Sequence, residues 1–244
     1  MSANTGRLRD PQQRAERATR ILDVAADLLL RHGYRRVTID DVAAGAEIGK
    51  GTVYLHWKNR EQLFGAVFER EVHYAMDELR QALRQDPRTC LLHRFARAYF
   101  LAIIGRPLLR GFLLDDPDLL GKLAGSADTA RDERHSTMAR GYFALLAEHG
   151  LLRDDMAVDE VGYAYQATFE GFLRAEGASD QRADLLARTV QRAFESESAA
   201  SDEALREGTA PRDDATLREI AAATVVLLTE LIDADRAEAG IPEA

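Results

Sequence analysis

The stretch from Ile48 to Phe64, IGKGTVYLHWKNREQLF, concentrates side chains that could do chemistry. It holds the only tryptophan of the chain, a histidine, three basic residues and a glycine on each side of Lys50. Such residues could form a phosphate-binding loop, a metal or catalytic site, a packing plug, or a surface that contacts nucleic acid. No His or Cys lies near His56 at metal-ligand spacing, which argues against a metal site.

A long amphipathic helix is predicted in front of this stretch, from Arg14 to His32. Its apolar side chains recur at three- and four-residue spacing: Ile21, Val24, Ala25, Leu28 and Leu29. Gly33 follows directly and suits the left-handed backbone position that ends many helices. The pattern therefore predicts a helix whose apolar face can support shorter helices.

Two short helices are predicted next. Thr38 is a suitable N-cap for the first of them, and Asp41 lies three residues later, where a carboxylate stabilises a helix N-terminus. Two glycines weaken the helix beyond Ala46, so we expect it to end there. The second short helix is predicted from Lys50 to Trp57, after a tight turn.

A fourth helix is predicted after Asn59, which can cap it, with Gln62 at the reciprocal capping-box position. The two short helices in front of it, over residues 38–57, have the arrangement of a helix-turn-helix. In that motif the second short helix enters the major groove of DNA and the first crosses the backbone. The chemistry-bearing stretch is therefore the candidate recognition helix.

This segment resembles the DNA-binding domain of the TetR/AcrR family of bacterial transcriptional regulators. The similarity covers residues 15–75, about a quarter of the chain. The matching residues are Gly33, Tyr34, Thr38, Val42, Ala43, Ala46, Ile48, Lys50, Gly51, Thr52, Tyr54, Trp57, Lys58 and Leu63. The resemblance implies an all-α protein with an N-terminal three-helix DNA-binding domain, followed by a helical bundle that binds an effector and dimerises.

Seven residues of the segment are predicted to contact DNA: Thr38, Lys50, Gly51, Thr52, Tyr54, His56 and Lys58. An ammonium can meet a phosphate or a guanine edge, and a tyrosine hydroxyl can meet a phosphate. For Gly51, flexibility at the start of the helix is an equal alternative. Val53 and Trp57 are predicted to pack the recognition helix against its neighbours. Gly49 stands where many relatives have serine, so a side-chain cap is lost.

Charge is distributed unevenly along the chain. The whole carries a net charge of −9, which is unexpected for a nucleic-acid binder. Residues 1–60 hold 11 Lys and Arg against 7 Asp and Glu, a balance of +4, so the remainder carries −13. A polyanionic partner is therefore expected only at the N-terminal end. The arm, residues 1–14 with Arg7, Arg9 and Arg14, is either a disordered tail or a minor-groove arm.

The acidic remainder continues with helical periodicity and contains no pattern of a catalytic site. It has no glycine-rich phosphate loop, no nucleophile elbow and no pair of His at metal spacing. Asp115, Asp116 and Asp118 lie beside Pro117, where a loop and helix cap explain them better than a metal or acid/base site does. We expect neither a cofactor nor a metal.

Aromatic residues are frequent in this region, and a helical bundle rich in them can enclose an apolar pocket with a few polar anchors. The candidate pocket residues are Phe95, Tyr99, Phe112, Tyr142, Phe143, Tyr165 and Phe169. Possible anchors are His93, Arg94, Arg97 and His135, although a solvated helix face explains these equally well. The resemblance implies that a small effector binds here and moves the DNA-binding domains.

Two apolar stripes are predicted to form a homodimer interface with a two-fold axis. They contain Val158, Val161, Phe172, Leu217, Ile220, Thr224, Leu227 and Leu231. The effector-binding and dimerisation domain is predicted over residues 76–236, with an acidic flexible segment at 195–214 and a disordered tail at 237–244. The single cysteine, Cys90, and the polar N-terminus fit a protein of the reducing cytoplasm without a membrane segment.

The sequence therefore predicts a one-component DNA-binding transcriptional regulator without enzymatic activity. It is expected to be a repressor that leaves a pseudo-palindromic operator when a small apolar or amphipathic molecule binds, and activation stays open. The alternatives are a helical protein–protein adaptor and a helical cytoplasmic enzyme. The basic and aromatic residues of the recognition helix disfavour the first, and the lack of a reactive constellation disfavours the second.

Overall fold

The computed structural model describes residues 11–116, 129–177, 179–196 and 214–239, together with Leu119. These residues are helical and contain no strand, which confirms the all-α prediction; one isolated bridge pairs Leu152 with Glu195. Several features discussed above lie outside the described residues: Arg7, Arg9, Pro117, Asp118, residues 197–213 of the acidic segment and the tail beyond residue 239.

Ten α-helices lie within the described residues. They are α1 (Pro11–His32), α2 (Ile39–Gly45), α3 (Lys50–Tyr54), α4 (Arg60–Gln85), α5 (Leu92–Ile104), α6 (Pro107–Leu113), α7 (Thr129–Glu148), α8 (Val158–Arg174), α9 (Ser179–Phe194) and α10 (Asp214–Ala239). A single 3₁₀ turn, Pro87–Cys90, follows α4.

The described residues divide into two compact units. The head contains residues 11–73, 107–116 and 233–239 and Leu119. The body contains residues 74–106, 129–177, 179–196 and 214–232.

The first helix begins at Pro11, three residues before the predicted start. Proline suits the first turn of a helix, since the N–H that it lacks would have no partner within the helix. Ile21, Ala25 and Leu29 of the predicted apolar face are fully buried. Gly33 ends the helix with a φ of 69°, the left-handed position that the sequence predicts.

The second helix lies unusually close to α1. A Cβ built on Gly45 would come within 2.6 Å of Cγ1 of Val24, so only glycine allows this approach. The predicted capping box at the start of α2 is present. The Thr38 hydroxyl accepts from the Asp41 N–H at 3.2 Å, and the Asp41 carboxylate accepts from the Thr38 N–H at 2.8 Å.

The third helix is shorter than predicted, since it ends at Tyr54 and not at Trp57. Trp57 enters the core after the end of α3, and Asn59 follows two residues later at the start of α4. Asn59 caps α4 as predicted, with its Oδ1 accepting from the Gln62 N–H at 2.8 Å. The Gln62 side chain, however, accepts from the Lys58 N–H at 2.9 Å and not from that of the cap residue.

The sixth helix belongs to the head, although the sequence places it in the ligand-binding domain. Leu108 is buried in the same core as α1 to α4. Phe112 stacks on Phe68 with 5.3 Å between ring centroids. The prediction that Phe112 lines the effector pocket is therefore wrong, because its ring forms part of the head core.

Most residues of the two predicted dimer stripes are already buried inside the protomer. They are Val161, Leu217, Ile220, Thr224 and Leu231. A side chain that is buried in the isolated chain cannot lose further surface to a partner, so these residues are core residues of the body and not an interface. An apolar stripe at helical spacing looks the same in sequence whether it faces the chain's own core or a second copy.

No helix among the described residues is long and apolar enough to cross a membrane.

Candidate nucleic-acid interface

The recognition helix has one buried side and one exposed side. Val53 is fully buried, and Trp57 is buried in the turn that follows, both in the core that α1, α2 and α4 form with α6. The structure thus agrees with the packing roles predicted for both. On the outer side Lys50, Gly51, Tyr54 and Lys58 are exposed, and Thr52 and His56 are half-buried. Two buried anchors, Val53 in α3 and Trp57 in the turn after it, fix this segment on its support and leave the outer side chains at the surface.

Tyr54 and the residue after it present a partly apolar surface. The Tyr54 side chain is 45% exposed and that of Leu55 is 59% exposed. Leu55 was not singled out from the sequence, because an apolar residue on a short helix is usually expected to face the core. An exposed leucine beside an exposed tyrosine can contact the methyl group of a thymine or a deoxyribose ring.

Lys50 pairs with an acidic residue that the sequence analysis did not single out. Its Nζ lies 2.7 Å from Oδ2 of Asp40, in the first turn of α2, and both side chains are exposed. The hydrogen bond from the lysine to the Asp40 carboxylate raises the pKa of Lys50. The ten-residue separation of the two side chains gave no sequence signal, since only the turn between α2 and α3 brings them together.

Thr38 has both of its hydrogen-bond donors turned toward Asp41. Its hydroxyl donates to Oδ2 of Asp41 at 2.7 Å, and its N–H donates to the same oxygen at 2.8 Å. These hydrogen bonds lower the pKa of Asp41. A phosphate oxygen must accept a hydrogen bond from a donor, and both donors of Thr38 already bond to Asp41. Thr38 is therefore the cap of α2, and it is not among the DNA contacts that we propose.

His56 lies against the neighbouring tryptophan, with 5.3 Å between the two ring centroids. Burial lowers the pKa of His56, and the positive charges of Arg14 and Arg17 on α1 lower it further. The imidazole is therefore neutral at pH 7. The predicted phosphate contact of His56 would be a hydrogen bond from a neutral donor, which is weaker than one from a charged group.

The turn around Tyr34 fixes the start of α4 next to the recognition helix. The Arg60 guanidinium lies 4.0 Å from the centroid of the Tyr34 ring and donates to the Tyr34 carbonyl at 2.9 Å. The Tyr34 hydroxyl donates to Glu61 at 3.2 Å, and burial raises the pKa of Tyr34. Arg60 is thus a structural residue, whereas Lys58, two positions earlier, stays exposed. At the other end, Gly49 provides no side-chain cap for α3, as predicted.

A second candidate site lies in the body, where eight aromatic rings form one continuous cluster. The rings belong to Phe95, Tyr99, Phe100, Tyr142, Phe143, Tyr165, Phe169 and Phe194. Neighbouring ring centroids lie between 4.6 Å (Phe95 to Tyr142) and 6.4 Å (Tyr165 to Phe194) apart. This aromatic cluster brings together six of the seven predicted pocket residues from α5, α7 and α8, all except Phe112.

The tyrosine hydroxyls of the aromatic cluster differ in their hydrogen bonding. The Tyr142 hydroxyl donates to the carbonyl of Cys90 at 2.8 Å. The Tyr165 hydroxyl is buried and has no hydrogen-bond partner among the described residues. Burial raises the pKa of Tyr165 well above its ordinary value, and it raises that of Tyr99 to about 12. The Arg131 guanidinium opposes part of the rise at Tyr99, which places a positive charge near this end of the cluster.

Three of the predicted pocket anchors are engaged elsewhere. His93 is buried with its Nδ1 2.8 Å from Oε2 of Glu195. Arg94 pairs with Asp86, and Arg97 donates to Asp184 at 2.8 Å. These contacts join neighbouring segments of the body, so the three residues have structural partners. His135, the fourth, is half-buried on α7.

The family model for bacterial regulatory proteins of the tetR family matches residues 21–67. An HTH-type transcriptional regulator of Mycobacterium bovis is 44% identical over 59 residues, which are 24% of this chain and 29% of that protein. The HTH-type transcriptional activator FasR of Mycolicibacterium smegmatis is 32% identical over 71 residues, 29% of this chain and 32% of that protein. Residues 21–67 therefore resemble the N-terminal region of tetR-family regulators. Both matches span less than a third of the relative's length.

Among solved structures, a gamma-butyrolactone receptor described as an ArpA-like protein aligns with 91% of this chain and 98% of its own length, with a TM-score of 0.47 and 18% identity. The residues that the tetR-family model matches, 21–67, contain α2, α3 and the exposed side chains of the recognition helix and the turn after it. The predicted resemblance is therefore confirmed for the helix-turn-helix region.

Proposed function

We propose that this protein is a homodimeric transcriptional regulator of the cytoplasm that binds double-stranded DNA through its head. The observation that carries the proposal is the division of the recognition helix. Val53 and Trp57 are buried anchors, while Lys50, Tyr54 and Lys58 stand exposed on the outer side. Ammonium groups and a tyrosine hydroxyl are suited to phosphate oxygens. Lys50 and Tyr54 lie on α3, the helix that a helix-turn-helix inserts into the major groove, and Lys58 lies in the turn after it.

The test of DNA binding begins with selection of bound fragments from a randomised duplex library. Affinity for a selected duplex is then measured between about 50 and 200 mM salt. Each phosphate neutralised by a lysine or arginine releases counterions, so we expect the logarithm of the affinity to fall linearly with the logarithm of the salt concentration. Binding that does not weaken with salt, or no enrichment of any sequence, would overturn the proposal.

The body is proposed to bind the effector at the aromatic cluster. The rings provide apolar contacts, and the buried Tyr165 hydroxyl supplies a donor that the described residues do not use. Leaving such a group unpaired costs about 1–3 kcal/mol, which a ligand acceptor would recover. The effector class is therefore an apolar or aromatic molecule with one carbonyl or carboxylate group.

A fluorescent aromatic anion, 8-anilinonaphthalene-1-sulfonate, is a suitable first probe of this site. We expect saturable binding to the wild-type protein and binding about tenfold weaker to Tyr165→Phe. Tyr163→Phe is the matched control, because Tyr163 lies on the same helix and is 80% exposed. Equal affinity of the two variants would contradict the assignment of Tyr165 as an anchor.

The dimer is proposed to form through exposed faces of α8 and α10. Ala167 and Gly171 are exposed four residues apart on α8, and Val226 of α10 is 54% exposed. Small residues allow two helices to approach closely across a two-fold axis. Sedimentation velocity on Ala167→Arg combined with Val226→Arg tests this: we expect a monomer. A dimer that persists in the double variant would place the interface elsewhere.

Repression is the proposed direction of regulation. A ligand shifts an equilibrium only by its differential affinity for two states, so the effector must favour the dimer geometry that does not fit the operator. Transcription in vitro from a promoter that contains a selected site, with and without the protein, decides the sign. Stimulation by the protein would identify an activator, as the relative from M. smegmatis is named.

A further inference from the structure

Asp40 is an acidic residue that forms an ion pair with Lys50, one of the proposed DNA contacts. Its carboxylate lies 2.7 Å from the ammonium of Lys50, at the start of the recognition helix. Both side chains are exposed, and neither is buried against another element. Lys50 therefore meets DNA as one half of an ion pair and not as an isolated cation.

The ion pair offers a hydrogen-bond pattern that matches one kind of base pair. In the major groove, guanine presents the O6 and N7 acceptors, and its paired cytosine presents the N4 amino donor beside O6. Lysine donates to the guanine acceptors, and aspartate accepts from cytosine N4. The guanine O6 and the cytosine N4 amino group are hydrogen-bonded neighbours, as Lys50 Nζ and Asp40 Oδ2 are in the protein.

The same carboxylate weakens binding to the phosphate backbone. If Lys50 turned to a phosphate, it would leave Asp40, and the carboxylate would remain unpaired close to the negatively charged duplex. If the ion pair stayed closed, Lys50 would bring no net charge to the phosphates. In either case binding to DNA of arbitrary sequence gains less from Lys50 than from an isolated lysine.

We propose that Asp40 and Lys50 act together as a specificity determinant that recognises one G·C base pair in each half-site of the operator. Asp40 contributes in two ways: it accepts a hydrogen bond from the cytosine, and it penalises contacts of Lys50 with phosphates. The proposal rests on the proposed DNA binding of the head and adds the base pair that α2 and α3 recognise jointly.

The chain offers a matched control for the removal of Asp40. Asp27 on α1 forms an exposed ion pair with Arg31, also at 2.7 Å, between residues four apart on one helix. Asp40→Ala and Asp27→Ala therefore change the net charge of the head equally and break similar ion pairs. They differ in whether the carboxylate lies beside the recognition helix.

Two measurements on the full-length protein test the proposal. The first is affinity for a duplex of random sequence as a function of salt. We expect Asp40→Ala to bind about three- to tenfold more tightly than wild type, with a salt slope steeper by about 0.9, as one more phosphate contact predicts. Asp27→Ala is expected to stay within about twofold of wild type. In a Lys50→Ala background, the gain from Asp40→Ala is expected to disappear.

The second measurement is selection of binding sites from a randomised library. Wild type and Asp27→Ala are expected to enrich a G·C pair at one fixed position of each half-site, and Asp40→Ala is expected to accept other pairs there. If Asp40→Ala selects the same sites as Asp27→Ala, the inference is overturned while the proposed function stands. If wild type binds no duplex at all, both the proposed function and the inference fail.

Discussion

The head and the body are both helical, and both have a well-buried apolar core. They differ in where the side chains proposed to bind a partner lie: at the surface in the head and in the interior in the body. In the head, the polar and aromatic side chains of α3 are outside, and two buried anchors hold them there. In the body, Tyr165 has a buried hydroxyl without a hydrogen-bond partner among the described residues, and its ring contacts those of Phe143, Phe169 and Phe194. An exposed arrangement suits a partner larger than the domain, and a buried one suits a molecule small enough to be enclosed.

The histidines of the two units show the same contrast. His56 in the head is half-buried, neutral because of burial and the arginines of α1, and still reaches the surface. His93 in the body is buried and held by Glu195 through both its ring Nδ1 and its backbone N–H. The surface position of His56 allows its ring to contact a bound partner. The buried pair of His93 and Glu195 instead joins α5 to the end of α9.

Removal of the buried anchor Trp57 should produce the largest effect, which is a loss of folding stability. It tests whether the fold of the head depends on this buried ring. Trp57→Ala removes a buried ring, and a large cavity of this kind costs about 3–5 kcal/mol of the free energy of unfolding. Urea unfolding followed by circular dichroism measures the loss. Tyr54→Ala, on the exposed side of the same segment, is expected to stay within about 0.5 kcal/mol of wild type. Equal destabilisation by the two substitutions would contradict the assignment of Trp57 as a buried anchor and of Tyr54 as a surface contact.

Loss of the exposed contacts should affect DNA binding and not folding. Lys50→Ala with Tyr54→Ala is expected to weaken affinity for a selected duplex by about 100-fold, or about 2.8 kcal/mol, with the dimer intact. Fluorescence anisotropy measures the affinity, and Trp57 emission reports the fold of the head. The double variant Arg188→Ala with Tyr74→Ala removes an exposed cation and an exposed tyrosine from the body. It should bind DNA as wild type does; parallel losses would mean that the head is not the DNA-binding unit.

The two tyrosine hydroxyls of the aromatic cluster should respond to removal with opposite signs. Tyr142→Phe leaves the buried Cys90 carbonyl without its donor and is expected to cost about 1–2 kcal/mol of stability. Tyr165→Phe removes a buried hydroxyl that no described residue pairs with, so we expect no loss and a gain of up to about 1 kcal/mol. Thermal unfolding without ligand compares them. Destabilisation by both would show that the Tyr165 hydroxyl has a structural role.

The pH dependence of DNA binding should give the smallest effect. The pKa of His56 is lowered in the free protein, so its imidazole is neutral at pH 7. A nearby phosphate would stabilise the charged form, and proton uptake would then accompany binding. Affinity is expected to rise a few-fold as the pH falls from about 7.5 to 5.5. His56→Gln should flatten this profile; an unchanged profile would remove His56 from the contact set.

For the unbound head, the same lowered pKa has the opposite effect. Protonation favours the unfolded chain, so the contribution of His56 to stability is present above its ordinary pKa and is lost as the pH falls through the lowered folded value. Measuring unfolding and DNA binding over the same pH range therefore separates the effect of His56 on stability from its effect on DNA affinity.

Much of the head could be predicted from local sequence. Capping depends on residues three positions apart, so Thr38 with Asp41 and Asn59 with Gln62 indicated two helix starts, and Gly33 indicated a helix end. The buried roles of Val53 and Trp57 followed from the family resemblance and from the period of a helix. The end of α3 was missed, because the turn that brings Trp57 into the core depends on its packing and not on local propensity.

The body was harder to predict because its decisive contacts join distant segments. Periodicity indicated apolar stripes on α8 and α10 but not what covers them, and most of those residues face the interior of the protomer. Aromatic content predicted a cluster of rings and could not show that Phe112 belongs to the head. Hydrogen-bond partners such as Glu195 for His93 lie about a hundred residues apart, beyond the reach of any local pattern.

The sequence by itself determined that this chain is helical and that its N-terminal region has the side chains of a helix-turn-helix. Those properties follow from helix periodicity, capping residues and an ordered motif, all of which are local. Only the tertiary structure decided that Asp40 pairs with Lys50 and that both donors of Thr38 bond to Asp41. It also decided that the buried Tyr165 hydroxyl has no partner among the described residues. Each of these depends on how helices approach one another in space, which spacing along the chain does not encode.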